Sequence, residues 1–187
     1  AEPDPLTVPL TMEVIEAGTI KVKIGNGSGT LATGMKYSVN GGKTKAPINI
    51  TTEIPVAEGD KVQFYGNGTQ TQVYGDNPVV RIQGSGDGFQ TKVYGNIMSL
   101  LDETGFATKT DLPNAENAKN VFYELFAGNT TLIDASELLL PAATLPTGCY
   151  QQMFAGCTNL TTVVIGNGVT SIGEAAFASC PNLVSVT

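Results

Sequence analysis

Three cysteines, Cys149, Cys157 and Cys180, are the residues whose type and spacing most invite a chemical reading. A nucleophilic thiolate needs a partner base, and the chain contains no histidine. That absence removes the Ser-His-Asp triad, the Cys-His dyad and every His-ligated metal site. An odd cysteine count is no disulfide framework. Cys157 and Cys180 stand at the same place in a recurring phrase, Phe154-Ala-Gly-Cys157-Thr-Asn-Leu160 and Phe177-Ala-Ser-Cys180-Pro-Asn-Leu183. The expected role is a ladder of small buried apolar side chains. A Cys157–Cys180 bridge is the alternative; neighbouring strands lie close enough, but parallel Cβ directions oppose it. Glycoside hydrolysis needs only two carboxylates, yet no acidic pair stands out on a strand end or a cleft-forming loop. The glycine clusters at 25–29 and 84–88 lack both a following helix and a Gly-Lys-Ser/Thr step, so they read as hairpin loops and not as phosphate cradles. Asp87, a lone carboxylate among glycines, is far short of a calcium site. No catalytic residue, metal or cofactor is expected.

Three Tyr-Gly-Asn/Asp triplets begin at Tyr65, Tyr74 and Tyr94. They read first as strand ends running into turns. The sharper alternative is a carbohydrate-binding face built on these tyrosines, with Asp76 and Asp87 as polar contacts; the absence of tryptophan leaves tyrosine as its stacking surface. The net charge of −7 offers no basic stripe for nucleic acid or for an anionic membrane surface. From Val121 onward there is no Lys or Arg, while Glu124, Asp134, Glu137 and Glu174 remain. No apolar run is long enough to span a bilayer. The sequence begins Ala1-Glu-Pro-Asp-Pro5 without Met, which is consistent with a processed or trimmed chain whose export signal would lie upstream. Asn-X-Ser/Thr sequons begin at Asn26, Asn49, Asn67, Asn129 and Asn159, a number expected by chance in so Asn- and Thr-rich a chain.

The elements that must position these residues fall into two regimes. Residues 1–7 read as an extended linker. Over 8–95 apolar residues alternate with polar ones, as in Leu10, Met12 and Val14 or Ile20, Val22 and Ile24. About eight short strands with Gly-rich turns predict an antiparallel, Ig-like β-sandwich. The alternation breaks at Asn96-Ile97-Met98, where a short helix is expected. A second is expected from an N-cap at Asn114, with Val121, Phe122, Leu125 and Phe126 as its apolar stripe. Residues 96–128 are read as a helical junction that caps the N-terminal end of segment 129–187. In that segment the phrase recurs, its phenylalanines Phe126, Phe154 and Phe177 lying 28 and then 23 residues apart. A fixed phrase at such a period marks a solenoid whose repeats bury their apolar faces only against one another.

The best-formed repeat reduces to L-x-x-V-x-I…V-x-x-I…A-F-x-x-C-x-x-L over Leu160–Leu183. Leu160, Val163 and Ile165 face the core from a short parallel strand, and Glu174-Ala-Ala-Phe177 is read as one helical turn on the convex side. This pattern resembles the BspA-like, or Treponema pallidum-type, leucine-rich repeat family; Ser171–Leu183 matches its A-F-x-x-C-x-x-L core closely. The segments 95–100, 138–142 and 149–160 look like the subgroup in surface proteins of human-associated anaerobic bacteria, where a β-rich domain precedes the repeats. The resemblance implies a leucine-rich-repeat solenoid after the sandwich. It also implies secreted or surface-anchored proteins that act in adhesion and bind host or matrix proteins without catalysis. The outward strand positions, Glu137, Leu139, Thr162, Val164, Ser185 and Thr187, are then the candidate protein-binding face. Thr187 falls inside the pattern's next strand, so an open edge is expected there, available for self-association.

Overall fold

A computed structural model describes residues 2–24, 34–66, 80–112, 121–143, 145, 148–166 and 168–187. Tyr74, Asp76, the sequons at Asn26 and Asn67, the loop at 25–29 and the expected N-cap Asn114 lie outside these residues. Among the described residues eleven strands form two sheets: β1 (Thr11–Glu16), β2 (Gly18–Ile24), β3 (Lys36–Val39), β4 (Ala46–Pro47), β5 (Thr51–Val56), β6 (Lys61–Tyr65), β7 (Val80–Ser85), β8 (Gln90–Asn96), β9 (Leu132–Leu139), β10 (Thr162–Val163) and β11 (Ser185–Val186). The larger sheet runs β11-β10-β9-β8-β1-β6-β3-β4 and the smaller β5-β2-β7. Period-two alternation does what the pleat requires. Met12, Val14, Val62, Phe64 and Val93 of one layer and Ile20, Val22 and Ile82 of the other are at most 1% exposed.

Among the described residues, strands β1 to β8 pair with one another antiparallel. At β8 the larger sheet changes character. β8 pairs in parallel with β9, β9 with β10 and β10 with β11. One sheet therefore runs without a break from the sandwich into the repeats.

The repeats stack as three rungs. Each runs from a set of tight turns, 121–128, 148–156 or 174–179, into β9, β10 or β11. The turns are not helical, which corrects the expected helical stripe at 121–126 and the expected helical turn at Glu174–Phe177. Left-handed backbone recurs at equivalent places: Phe122 and Tyr150; Glu124, Gln152 and Ala175; Gly128, Gly156 and Ser179. An α-helix cannot contain such residues, because its geometry demands right-handed φ and ψ at every position. The alternation instead aims successive N–H groups along the stack. Glu124, Phe126 and Gly128 donate to the carbonyls of Gln151, Met153 and Ala155, and Gln152, Phe154 and Gly156 donate to those of Glu174, Ala176 and Ala178. Inter-rung bonds replace the helical ladder and satisfy the same backbone groups. The segment after β8 does turn as a single 3-10 element, Ile97–Leu100, with the Asn96 side chain accepting from the Met98 N–H.

The sandwich bonds directly to the first rung, whose turns are residues 121–128. Ile82 on β7 donates its N–H to the Leu125 carbonyl, as Phe126 does to Met153 and Phe154 to Ala176. The Ile82 carbonyl in turn accepts from the Asn129 carboxamide. Gln83 donates to the Ala127 carbonyl, and Arg81 pairs with Glu124. β7 and β8 thus act as a rung preceding the first, one on each side of the stack.

Candidate interaction face

The residues that could meet a partner lie on the outward side of the larger sheet. Strand register builds the face row by row. Ser185 pairs with Thr162, Thr162 with Asp134, Asp134 with Lys92, Lys92 with Glu13 and Glu13 with Lys61. The next row runs Glu137, Tyr94, Thr11, Gln63 and Ser38, of which Thr11 and Ser38 are buried. The inward partners are Ala135, Val163 and Val186, so Val164 and Thr187 turn outward beyond them. Glu137 and Thr187 are exposed; Thr162, Val164 and Ser185 are half-buried. The structure brings these five onto one surface. Leu139, the sixth candidate, is half-buried beside Asn96. The Asn96 amide is held by the carbonyls of Leu6 and Phe106, so turns roof this end of the sheet.

Sequence reasoning missed Asp134 and the sandwich half of the face. A bulged register between β8 and β9 turns Asp134 outward, and its carboxylate fixes the bulge by accepting from the Ser136 N–H and hydroxyl. Lys92, Glu13 and Lys61 follow from sheet continuity, which no local pattern encodes. Tyr94 sits at the centre of this charged field. Burial pushes its phenol pKa above the usual tyrosine range; Glu13 and Glu137 push the same way, and Lys61 opposes them.

Of the two described candidates, Tyr65 and Tyr94, neither ring stacks on the other. Tyr65 is 9% exposed, with the Lys45 ammonium 3.9 Å from its ring centroid. Lys45 is held by Glu103 at 2.5 Å, which also takes Lys36 at 3.1 Å. The Lys45 bond first, and Lys36 with it, hold the Glu103 carboxyl below the ordinary carboxylate range. Asp87 lies at an exposed turn. Among the described residues no group of three or more Cys, Asp or Glu converges as a metal cage would.

All three thiols are free. The Cys157 thiol donates to the Phe126 carbonyl at 3.1 Å and the Cys180 thiol to the Phe154 carbonyl at 3.0 Å. Burial pushes the Cys149 and Cys157 pKa values up to about 12. Thiols held neutral inside the stack are donors and packing groups, not nucleophiles. Asn129 takes the same place in the first rung and makes the same bond through its amide. Above this row Phe126, Phe154 and Phe177 stack with ring centroids 5.5 and 5.8 Å apart. A parallel row of amides joins them: Asn159 to the Thr130 carbonyl and Asn182 to that of Thr158, both at 2.7 Å.

Residues 115–187 match the family model described as "BspA type Leucine rich repeat region (6 copies)". The C-terminal part of this chain is a BspA-type leucine-rich repeat region. No curated protein and no solved structure matches the chain. In the BspA-type repeats here, the Phe, Cys and Leu of the phrase are core rungs. Among the described residues no helix is long and apolar enough to cross a membrane.

Proposed function

We propose that the chain is a non-enzymatic interaction module of a secreted or cell-surface protein, and that it binds a host or matrix protein through the outward face of the larger sheet. The observation that carries this reading is the unbroken face itself. It extends from Ser185, Thr162 and Asp134 on the repeats to Lys92, Glu13 and Lys61 on the sandwich. BspA-type repeats supply the precedent, since the family typically works by binding and not by catalysis. Mixed charge around small hydroxyl side chains suits a polar protein surface, where complementarity sets specificity and on-rate. The carbohydrate alternative loses support at Tyr65, whose ring already carries Lys45.

The test is binding of the whole chain to a panel of immobilised extracellular-matrix proteins. Glu137→Lys and Thr162→Arg change the face, while Gln152→Lys changes the convex turns. Binding that the first two weaken at least tenfold, about 1.4 kcal/mol, and the third leaves intact supports the reading. Binding indifferent to all three, or to the whole panel, refutes it.

A further inference from the structure

The first row of the outward face has a property that a matrix ligand does not require, for it is its own electrostatic complement. Register sets Asp134, Lys92, Glu13 and Lys61 side by side on four neighbouring strands, β9, β8, β1 and β6. Their signs alternate along the row. Neighbouring strands lie about 4.8 Å apart, so the four charges form a line about 14 Å long. Lys92 and Lys61 are exposed, and Glu13 and Asp134 are half-buried. Among the described residues none of the four makes an ion pair. The ion pairs present lie elsewhere, at Lys21–Glu53, Arg81–Glu124, Lys109–Asp111 and around Glu103. Asp134 spends its carboxylate on the neutral Ser136, which leaves its charge uncancelled.

A second copy, turned about a two-fold axis parallel to the strands and midway between Lys92 and Glu13, presents the same row in reverse. Asp134 then faces the partner's Lys61, and Lys92 faces the partner's Glu13. Symmetry repeats both contacts, so every charge of the row meets its opposite. An alternating row with an odd number of charges would set like on like; this one is even. The second row reverses without conflict, Glu137 meeting the partner's Gln63 and Tyr94 the partner's Thr11. Strands of the two sheets stay nearly aligned, as twisted sheets do when packed face to face. We infer that the outward face is an isologous interface for a second copy of this chain, in the register Asp134 to Lys61 and Lys92 to Glu13. Opposite charges fix that register, since sliding the copy by one strand sets like charges together. All four residues lie on strands inside the larger sheet, away from its edges. Pairing covers the face proposed for a matrix ligand, but it stands on self-complementarity alone and needs no ligand. It makes access to that face depend on chain concentration and on ionic strength.

Sedimentation equilibrium of the whole chain, with no matrix protein present, is the test. A monomer–dimer equilibrium is expected at about 0.02 M salt, weakened by about tenfold or more at about 0.5 M, where charges are screened within about 4 Å. Lys92→Glu and Glu13→Lys each set like charges face to face at both symmetric contacts. Each variant alone, its fold checked by far-UV circular dichroism, is expected to dimerise about tenfold or more weakly than the original chain. An equimolar mixture of the two variants is expected to recover association, because the two reversed charges then oppose each other. A chain that stays monomeric at low salt overturns the inference and leaves the matrix reading untouched. Dimers that survive either variant, or a mixture no better than its components, place the contact on another surface and overturn it too. Recovery in the mixture without binding to any matrix protein upholds the pairing and refutes only the proposed function.

Discussion

Asn129 is the residue on which the joint between sandwich and repeats should most visibly depend. It is fully buried, and its side chain makes four hydrogen bonds. The amide donates to the Ile82 carbonyl at 3.1 Å, across the joint. The side-chain oxygen accepts from the Thr131 N–H, the Thr131 hydroxyl and the Leu132 N–H at 3.0, 2.8 and 3.1 Å. Asn129→Ala leaves two peptide N–H groups and one carbonyl buried without partners. Such groups cost about 1–3 kcal/mol each when orphaned. With the N–H groups at the low end and the Thr131 hydroxyl free to turn elsewhere, the loss is about 3 kcal/mol. Asn129→Cys separates the two halves of the role. A thiol here can donate to the Ile82 carbonyl as Cys157 does to that of Phe126, yet it offers the two N–H groups a poor acceptor. It should cost about 1 kcal/mol less than alanine. Urea unfolding followed by far-UV circular dichroism measures both, given unchanged m-values. A loss below about 1 kcal/mol for alanine, or a cysteine variant no better than alanine, would refute the claim that this side chain is the joint.

Four further outcomes are expected from the geometry. Ser179 holds a left-handed conformation that its equivalents Gly128 and Gly156 adopt freely. Ser179→Gly should therefore stabilise by about 0.5 kcal/mol, and Gly156→Ala should destabilise by about 1 kcal/mol, in the same denaturation assay. A Cβ on Gly66 would overlap the Leu100 carbonyl, so Gly66→Ala should cost about 3 kcal/mol or leave the chain insoluble. Glu103 has its folded-state pKa lowered from 4.5, so its contribution is complete above that value and is lost as pH falls through the folded-state pKa. Glu103→Gln should flatten the acid limb of a stability–pH profile below about pH 4.5 and lower the plateau above it. Iodoacetamide should label the half-buried Cys180 before Cys149 and Cys157, as mass spectrometry of the native protein would show; earlier labelling of Cys157 would contradict its place in the stack.

Local periodicity made much of the fold legible in the sequence. Alternation at Leu10, Met12 and Val14 and at Ile20, Val22 and Ile24 placed the strands and chose their buried faces. The repeated phrase placed Phe154, Cys157 and Leu160 inside. The helical expectation at 121–126 failed for a definable reason. Val121, Phe122, Leu125 and Phe126 carry the i, i+4 spacing of a helical stripe, but the N–H groups of Glu124, Phe126 and Gly128 go to the neighbouring rung and not to carbonyls four positions back. Spacing reports which side chains are buried. It does not report where the peptide groups find partners, and in a stack the partner lies 22 to 29 residues away in sequence.

The same limit applies to the candidate face. Glu137, Thr162 and Ser185 could be read as outward because the repeat predicts its own strands. Lys92 and Glu13 could not be joined to them, because the pairing of β8 with β9 brings together segments separated by a loop, two 3-10 turns and the first rung's turns. The clue that was available lies in Asn129. It breaks the Cys pattern of the two later rungs with a side chain that can both donate and accept, at the one rung whose preceding neighbour is a strand of different sequence. An irregular residue at a regular position marks where a repeat meets something other than itself. By that criterion, Asn129 locates the boundary at which the outward face passes from repeat to sandwich.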